Sequence, residues 1–416
     1  MNVSLNTTLE PSAGTEYQCG ARLESFYYWY RSQMHGWASL LICIFGSIAN
    51  VLNIAVLTRR EMQSPTNMIL TGLAVADLLV MMEYIPYAIH MYLYKRSRRD
   101  TFTYGWTIFV LFHSNFTQVC HTISICLTVT LAVWRYIAVA HPQRNREWCS
   151  NKRTFLMIAF AYLSCPLLCI PLYINTEVRP QEEILDRLGE KVNLTKFQQM
   201  VNNSSLEGVT NSTLYFVKLV ESPNADVLKN INIWIYSVVI KLIPCIALTG
   251  LSIKLVKVLL EAKRRRKKLT AKNQTVIKMG NGKEHACEKP KKRRKGNDKE
   301  RQTDRTTMML LAVLLLFLVT ELPQGILGLL GVILGQSFLN TCYAMLGDVI
   351  DTLTLINSAI NFILYCAMSR QFRTTFNQLF CNRWRLIGRW MAVPHQPMEN
   401  NGHTGTNHTV TQVTQV

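Results

Sequence analysis

Five acidic residues lie inside long apolar stretches of this sequence, and their chemistry most needs an explanation. They are Asp77, Glu83, Glu321, Asp348 and Asp351. A carboxylate in hydrocarbon is costly unless it is paired, so ionisable residues in membrane segments usually bind a ligand or line an ion pathway. The sequence has no His-Glu-x-x-His pattern and no Walker loop to accompany these acids. We therefore expect binding and not catalysis.

Seven apolar runs must position these acids. Hydrophobic residues make up 49% of the chain and charged residues 17%, against roughly 25% charged residues in ordinary globular proteins. A helix needs roughly 20 residues to cross a bilayer, and each run is long enough. The sequence therefore predicts an all-α membrane protein, a seven-transmembrane helix bundle. The runs are about Trp37–Leu57, Met68–Tyr94, Trp106–Val139, Phe155–Ile174, Ile231–Leu260, Met308–Leu334 and Tyr343–Met368.

Charge sets the predicted orientation and the domain boundaries. The net charge is +19, and the basic excess is concentrated at 261–303, which the positive-inside rule keeps in the cytoplasm. A smaller basic group at 95–99 opposes this orientation. Seven crossings of the plasma membrane then leave the N terminus extracellular and the C terminus cytoplasmic. The predicted parts are a glycosylated extracellular tail (1–35), the bundle (36–368) with an outer loop at about 175–229 and a basic cytoplasmic loop at about 261–303, a short amphipathic cytoplasmic helix (369–381) and a cytoplasmic tail (382–416).

The basic runs at 263–268 and 291–295 have two interpretations. Such runs also occur in nucleic-acid-binding and nuclear proteins. Beside seven membrane spans we expect them to contact anionic membrane lipid instead, and we expect no nucleic acid as a partner.

The segments predicted outside carry two cysteines and several glycosylation signals. Of the twelve cysteines, Cys19 and Cys342 are the two placed outside. They form either a disulfide that ties the N-terminal tail to the seventh span or two unrelated free thiols. The segment Glu182–Lys191 favours a short amphipathic helix. Sequons predict glycosylation at Asn2, Asn6, Asn193, Asn203 and Asn211.

Polar residues and prolines recur at fixed places along the seven runs. They comprise Asn50, Asp77, Arg135, Pro244, Pro323 and the segment Asn361–Tyr365. After them, Phe372, Phe376, Leu379 and Phe380 form the apolar face of the amphipathic helix. This set resembles the rhodopsin-like G protein-coupled receptor family over about Trp37–Cys381, which implies a receptor and not an enzyme. A transporter or channel is the alternative from another class, but no inverted repeat supports it.

The resemblance implies roles for the buried polar groups and the prolines. Around Asp77 it implies a cavity that holds an allosteric sodium ion, or a plain hydrogen-bond network without an ion. The residues converging on Asp77 are Ser124, Asn357, Ser358 and Asn361. No other cofactor is expected. The implied activation switch comprises Pro244, Ile125, Phe317, Pro323 and Tyr365.

The resemblance also implies cytoplasmic partners. Arg135 and Tyr136 would contact a heterotrimeric G protein, with the inhibitory type favoured, and the threonine-rich tail would recruit arrestin once phosphorylated. Five positions depart from the family pattern, two of them Phe362 for the seventh-span proline and Ser252 for the fifth-span tyrosine. The acid before the arginine is Trp134, the tryptophan two residues before the sixth-span proline is Glu321, and the third-span cysteine is Val110. The usual lock and toggle are therefore not expected in their usual form.

The acids favour a cationic ligand. Thr117 stands where amine receptors carry an aspartate, and the seventh run has no lysine that could hold retinal. Bidentate binding to carboxylates favours arginine over lysine. The predicted ligand-binding residues are Glu83, Tyr87, Thr117, Gln118, His121, Glu321, Gln324, Asp348 and Asp351.

Three segments (127–144, 320–325 and 368–373) resemble the arthropod myosuppressin receptors, to which the sex peptide receptor is related. This resemblance implies an amidated neuropeptide that ends in Arg-Phe-amide. Its arginine would meet Glu321 or Asp351, and its aromatic end would lie deepest. A peptide of the sex peptide or myoinhibitory type is the alternative ligand. Glu83 and Glu321 have the further interpretation of buried, protonated structural groups.

Overall fold

Seven long helices form the computed structural model of this protein, in which residues 19–94, 96–192, 209–221, 223, 225–279 and 292–381 are described. All seven contain a stretch that is long and apolar enough to cross a membrane, so the predicted seven-helix bundle is confirmed. The first four helices are α1 (Ala21–Leu57), α2 (Pro65–Leu93), α3 (Tyr104–Ala140) and α4 (Asn151–Asn175). The other three are α5 (Ala225–Trp234, Ile235–Leu242 and Ile243–Met279 in succession), α6 (Lys292–Leu334) and α7 (Leu339–Tyr343 and Ala344–Met368).

Several helices are interrupted by π-helical turns. These lie at Tyr30–His35, Ile89–Leu93, Ile235–Leu242 and Leu339–Tyr343. A π-turn rotates the side chains that follow it, and such turns are frequent at functional sites. Shorter helical segments between the long helices are Arg60–Met62, Arg98–Thr101, Pro142–Trp148 and Gln336–Phe338.

Serine caps fix where two of the spans begin. Ser64 precedes α2 and its hydroxyl accepts a hydrogen bond from the backbone N–H of Asn67 at 3.1 Å. Pro65 then occupies the first helical position, where its missing N–H has no cost. Ser150 caps α4 in the same way. A serine cap satisfies one of the helix's unpaired N–H groups, so the two spans start directly after their connecting turns.

The outer surface of the bundle is largely apolar, and its interior holds polar side chains among apolar ones. Leu41, Leu163 and Ile246 are 65%, 72% and 69% exposed, whereas Asn50 and Asp77 are almost completely buried. Large apolar side chains on the outer surface suit lipid, and the backbone hydrogen bonds of a helix are satisfied within it, as hydrocarbon requires. The arrangement therefore directs the polar side chains of the site toward one another.

The segment between α4 and α5 contains a β-hairpin, so the helix predicted at Glu182–Lys191 is wrong. Strand β1 (Thr176–Leu185) pairs antiparallel with β2 (Thr210–Leu219), with Thr176 opposite Leu219. Glu183 is buried, and β2 supplies the backbone hydrogen-bond partners of β1. Local periodicity cannot reveal a strand whose partner lies some 30 residues away along the chain.

A short helix follows the seventh span. Helix α8 (Arg370–Phe376) buries Phe372, whose ring lies 5.9 Å from that of Phe362 and 5.7 Å from that of Tyr365. This agrees with the amphipathic helix predicted there. A second unit begins at Phe376. Within it, a π-turn covers Asn377–Cys381, and the rings of Phe376 and Phe380 lie 4.9 Å apart.

Candidate functional site

A cavity of about 380 Å³ lies among α3, α4, α5, α6 and α7, and we call it the main cavity. Three of the predicted ligand-binding residues line it: Gln118, Gln324 and Asp351. The other lining residues are Ser114, Leu168, Cys169, Leu172, Asn232, Ile233, Ile235, Tyr236, Ser237, Ile240, Gly328, Leu339, Tyr343, Gly347 and Ile350. A largely apolar wall with a few converging polar groups is typical of a small-ligand or peptide-end site.

Asp351 is the acid that opens onto the main cavity. Its side chain is exposed there, and it forms no hydrogen bond or ion pair with any residue that the structure describes. His113 and Lys241 act on it electrostatically, but each is bonded to another acid. Asp351 can therefore accept a cation from a ligand.

Asp348, three residues earlier on α7, already has its partners. Arg31 of α1 donates to its Oδ2 at 3.2 Å, and the Tyr92 hydroxyl donates to its Oδ1 at 3.0 Å. The Asp348 side chain is only 7% exposed. The structure therefore does not bring this predicted ligand-binding acid into the lining of the main cavity.

Glu321 is bonded within a buried triad of α3, α5 and α6. Lys241 donates to Glu321 Oε2 and to His121 Nε2, the latter at 2.6 Å, and His121 Nε2 lies 3.0 Å from Glu321 Oε2. Lys241 and Glu321 are fully buried. The residues His121 and Glu321 were predicted to bind the ligand, yet neither lines the main cavity. Sequence reasoning missed Lys241, although its position near the middle of the fifth apolar run, away from Lys254 and Lys257 at the end of that run, was a signal for it.

Glu83, Tyr87 and Thr117 form a second polar group between α2 and α3. His113 Nδ1 lies 2.7 Å and 2.8 Å from the two carboxylate oxygens of Glu83, and Thr117 Oγ1 donates to Oε2 at 3.0 Å. The Tyr87 ring stacks on the imidazole of His113 at 3.8 Å. Glu83 is thus satisfied inside the protein, which supports its structural interpretation.

Asp77 gathers most of the polar residues predicted around it. Ser124 Oγ donates to Oδ1 at 2.9 Å, Asn361 Nδ2 donates to Oδ2 at 3.1 Å, and Ser358 is also within hydrogen-bonding reach. Asn357 forms no such bond in the part of the chain that the structure describes. The carboxylate and serine oxygens are of the kind that a sodium ion prefers, whereas Asn361 presents its N–H group and not its oxygen.

Two of the five predicted switch residues pack together inside the bundle. Ile125 and Phe317 belong to the same buried apolar group, which also contains Cys245, the neighbour of Pro244. Pro323 lies inside α6, and Tyr365 is almost fully buried in α7.

Arg135 lacks the usual ion pair with the residue before it in the chain, because that residue is not an acid. Trp134 stands in place of the expected acid and donates its indole N–H to Thr154 of α4 at 3.0 Å. Arg135 Nε is buried without a hydrogen-bond partner among the described residues. Tyr136, beside it, is half-buried, and its ring lies 6.2 Å from that of His141.

Two ties outside the membrane-spanning core hold the end of the bundle that carries the hairpin. A disulfide joins Cys19 to Cys342, which is one of the two alternatives that the sequence left open. Arg98 donates two hydrogen bonds to Glu183 of β1, at 2.6 Å and 3.0 Å. These bonds hold the pKa of Glu183 below its usual range, and the pKa of Arg98 is raised. The hairpin is therefore anchored by an ion pair and not by a disulfide to α3.

Asn211 is exposed on β2, and its side-chain amide donates to Glu182 at 2.8 Å. The other four predicted glycosylation sites lie outside the described residues, at Asn2, Asn6, Asn193 and Asn203. The C-terminal tail at 382–416 lies outside them as well.

Sequence comparisons relate this chain to known receptors. The family described as 7 transmembrane receptor (rhodopsin family) matches residues 49–365. The G-protein coupled receptor dmsr-1 of Caenorhabditis elegans is 31% identical over 365 residues, which cover 83% of this chain and 68% of that protein. The sex peptide receptor of Drosophila melanogaster is 27% identical over 383 residues, covering 91% and 79%. The FMRFamide receptor of the same fly is 23% identical over 380 residues, covering 88% and 58%.

Proposed function

The chain belongs to the 7 transmembrane receptor (rhodopsin) family, and we propose that it is a receptor for an amidated neuropeptide of the myosuppressin type or a related Arg-Phe-amide peptide. This family consists of G protein-coupled receptors, which are not enzymes. Matches to invertebrate peptide receptors over most of the chain support a neuropeptide ligand. We place the receptor in the plasma membrane, with the disulfide and hairpin outside and Arg135 at the cytoplasmic face.

The carboxylate of Asp351, which has no hydrogen bond or ion pair with any described residue, carries this proposal. Of the four acids predicted to meet a cation, Glu83, Glu321 and Asp348 each have a partner inside the chain. A guanidinium group would therefore pair with Asp351, and a charge-assisted bond in a largely apolar cavity is strong. This narrows the sequence prediction, which left Glu321 and Asp351 as equal candidates.

The proposed mechanism couples the main cavity to the opposite end of the bundle. A bound peptide stabilises a state in which the part of α6 before Pro323 swings outward. A ligand shifts that equilibrium only by its difference in affinity for the two states. The opened face, with Arg135 and Tyr136, would bind a heterotrimeric G protein, with the inhibitory type favoured by resemblance. Arrestin binding to the phosphorylated tail, lipid contact by the basic loop and a sodium ion at Asp77 remain part of the proposal.

A second candidate ligand is a peptide of the sex peptide or myoinhibitory type. It is favoured by the sex peptide receptor match, which covers 91% of this chain. The unpaired Asp351 suits a cationic side chain in either kind of peptide, so it does not separate the two.

A reporter assay in cells that express the whole chain tests the proposal. The cells are challenged with a panel of amidated neuropeptides while cAMP and calcium are followed. A nanomolar response to an Arg-Phe-amide peptide is expected. A response limited to Trp-amide peptides would transfer the assignment to the second candidate, and silence toward every amidated peptide would reject both.

A further inference from the structure

Three buried polar atoms near the main cavity have no hydrogen-bond partner among the described residues. They are Ser237 Oγ, Gln324 Oε1 and Glu321 Oε1. Ser237 is 1% exposed and Gln324 is 7% exposed, and both line the cavity. Buried polar groups are almost always paired, so unpaired ones beside a cavity indicate that a ligand supplies the missing bond.

The surroundings hold these groups in place. Gln324 Nε2 donates to the Tyr236 hydroxyl, and Tyr343 is hydrogen-bonded to Gln324 as well. Both contacts engage the nitrogen end of the side-chain amide and leave its oxygen free. Ser237 packs against Gly328, where an added Cβ would lie 2.1 Å from the serine oxygen. A side chain at position 328 would clash with the Ser237 hydroxyl, so glycine there allows the hydroxyl to line the cavity.

Glu321 lies one helical turn from Gln324, so the two side chains share a face of α6. Its Oε2 accepts from Lys241 and lies 3.0 Å from His121 Nε2, while Oε1 has no hydrogen-bond partner among the described residues. Two of the three free atoms can only accept hydrogen bonds, and the third, a hydroxyl, can accept or donate. The missing ligand group is therefore a donor.

We propose that Ser237 and Gln324 form a subsite for the C-terminal carboxamide of the peptide. This rests on the proposed function, since it takes the ligand to be an amidated peptide. A primary carboxamide offers two N–H donors and one acceptor oxygen. One N–H meets Gln324 Oε1, the second meets Ser237 Oγ, and the carbonyl oxygen can accept from a tyrosine hydroxyl.

The same geometry disfavours a free acid. A carboxylate has no N–H to donate to Gln324 Oε1, which would stay unpaired in the bound state, and only the Ser237 hydroxyl could turn to donate to it. Its negative charge would also face Asp351 across the cavity. A methyl ester is neutral but also lacks N–H donors. Comparing the amide with the ester therefore measures the loss of hydrogen bonds without the charge repulsion that the acid adds.

The experiment compares peptides that differ only at the C terminus, as amide, methyl ester or free acid. Each is titrated in the reporter assay against the wild-type receptor and the Ser237→Ala/Gln324→Leu variant, with surface expression measured by an epitope tag. With the ester, each hydrogen bond that is not formed leaves a buried group unpaired. On the wild-type receptor the amide should therefore be more potent than the ester by about 10-fold or more. In the double variant this ratio should fall toward one.

Ser114→Ala is the matched control. Ser114 also lines the main cavity, but its hydroxyl already donates to the Leu111 carbonyl at 3.1 Å. This variant should keep the wild-type ratio. Should the double variant fail to reach the surface, Ser237→Ala alone removes a single oxygen, and a partial fall in the ratio is then expected.

The outcomes separate the subsite from the proposed function. A wild-type receptor that responds to amidated peptides but keeps its amide-to-ester ratio in the variants overturns the subsite and leaves the function standing. Equal wild-type potency of amide and ester also overturns the subsite. A receptor silent toward every amidated peptide rejects the proposed function itself.

Discussion

Asp348 and Asp351 lie one turn apart on α7, yet the protein treats them differently. Asp348 faces α1 and α2, where Arg31 and Tyr92 satisfy it. Asp351 faces the main cavity and has no hydrogen bond or ion pair within the described part of the chain. The same residue type is thus structural in one case and available in the other. The difference lies in which cation the fold brings nearby.

The contrast extends to the two sides of the bundle. We call the α1–α2–α7 region, with Arg31, Asp348 and His35, the sealed side. His35 is buried there and is bonded to Thr352 and to the Tyr84 hydroxyl, both at 3.2 Å. We call the walls of the main cavity the open side, where Ser237 and Gln324 keep unpaired atoms. Selectivity for a ligand is expected to come from the groups that the fold leaves unpaired.

The largest expected effect comes from breaking the His121–Lys241–Glu321 triad. The intact triad pairs Glu321 with Lys241 and so keeps this acid from binding a ligand cation. Lys241→Met leaves a buried carboxylate uncompensated, at a cost of about 3–5 kcal/mol. Surface expression and thermal stability in detergent should fall steeply. Lys241→Met/Glu321→Met, which replaces both charges by apolar groups, should restore most of both. If the double variant is as unstable as the single one, the ion pair is not what holds Glu321.

Removal of the disulfide should have the next largest effect on the stability of the protein, and it acts on the sealed side. Cys19 and Cys342 are 323 residues apart in sequence, and removing such a bridge typically costs about 2–4 kcal/mol. Cys19→Ser/Cys342→Ser should lower the melting temperature and make it insensitive to reducing agent. Cys366→Ser, which removes a free thiol, is the control and should leave that sensitivity intact. A wild-type melting temperature that does not respond to reductant would contradict the bridge.

Removal of Arg31 should have a smaller effect. Its side chain is 43% exposed, so water screens the pair with Asp348, and Arg31→Gln should cost about 1 kcal/mol of stability. Peptide potency should not change, since Asp348 does not line the main cavity. If Arg31→Gln greatly lowers peptide potency without lowering stability, Asp348 takes part in ligand binding and does not differ from Asp351 in this respect.

The smallest expected effect concerns the Arg98–Glu183 anchor of the hairpin and depends on pH. Hydrogen bonds from Arg98 lower the pKa of Glu183 in the folded protein. The anchor is therefore at full strength above the ordinary carboxyl pKa of 4.5 and weakens as pH falls from there through the lowered value. A spin label at position 188, which is exposed in the turn that follows β1, should become more mobile over that range. The same mobility step in Glu183→Gln would contradict this origin.

The parts of the structure that depend on local pattern were predictable. Apolar run length locates the spans. The contacts of Asp77 with Ser124, Ser358 and Asn361 followed from the resemblance to the receptor family, whose motifs mark fixed positions on packed helices. The disulfide was one of two alternatives left open, because Cys19 and Cys342 were the two cysteines predicted outside.

The rest depends on contacts between distant residues. Lys241 meets Glu321 and His121 across 80 and 120 residues of sequence, and no local pattern pairs them. The helix prediction at 182–191 was wrong for the same reason, since β1 is defined by its pairing with β2. Grouping the five acids by residue type treated them alike, and only their three-dimensional neighbours separate Asp351 from the others.

A double-substitution cycle tests the central claim that Asp351 is the acid left for the ligand. Potencies of an Arg-Phe-amide peptide and its citrulline analogue, which is isosteric but uncharged, are compared on the wild type, Asp351→Asn and Asp348→Asn. The wild type and Asp348→Asn should prefer arginine by about 10-fold to 100-fold, the range expected for a hydrogen bond to a charged group. Asp351→Asn should respond to both peptides alike. An arginine preference that survives in Asp351→Asn would contradict the account.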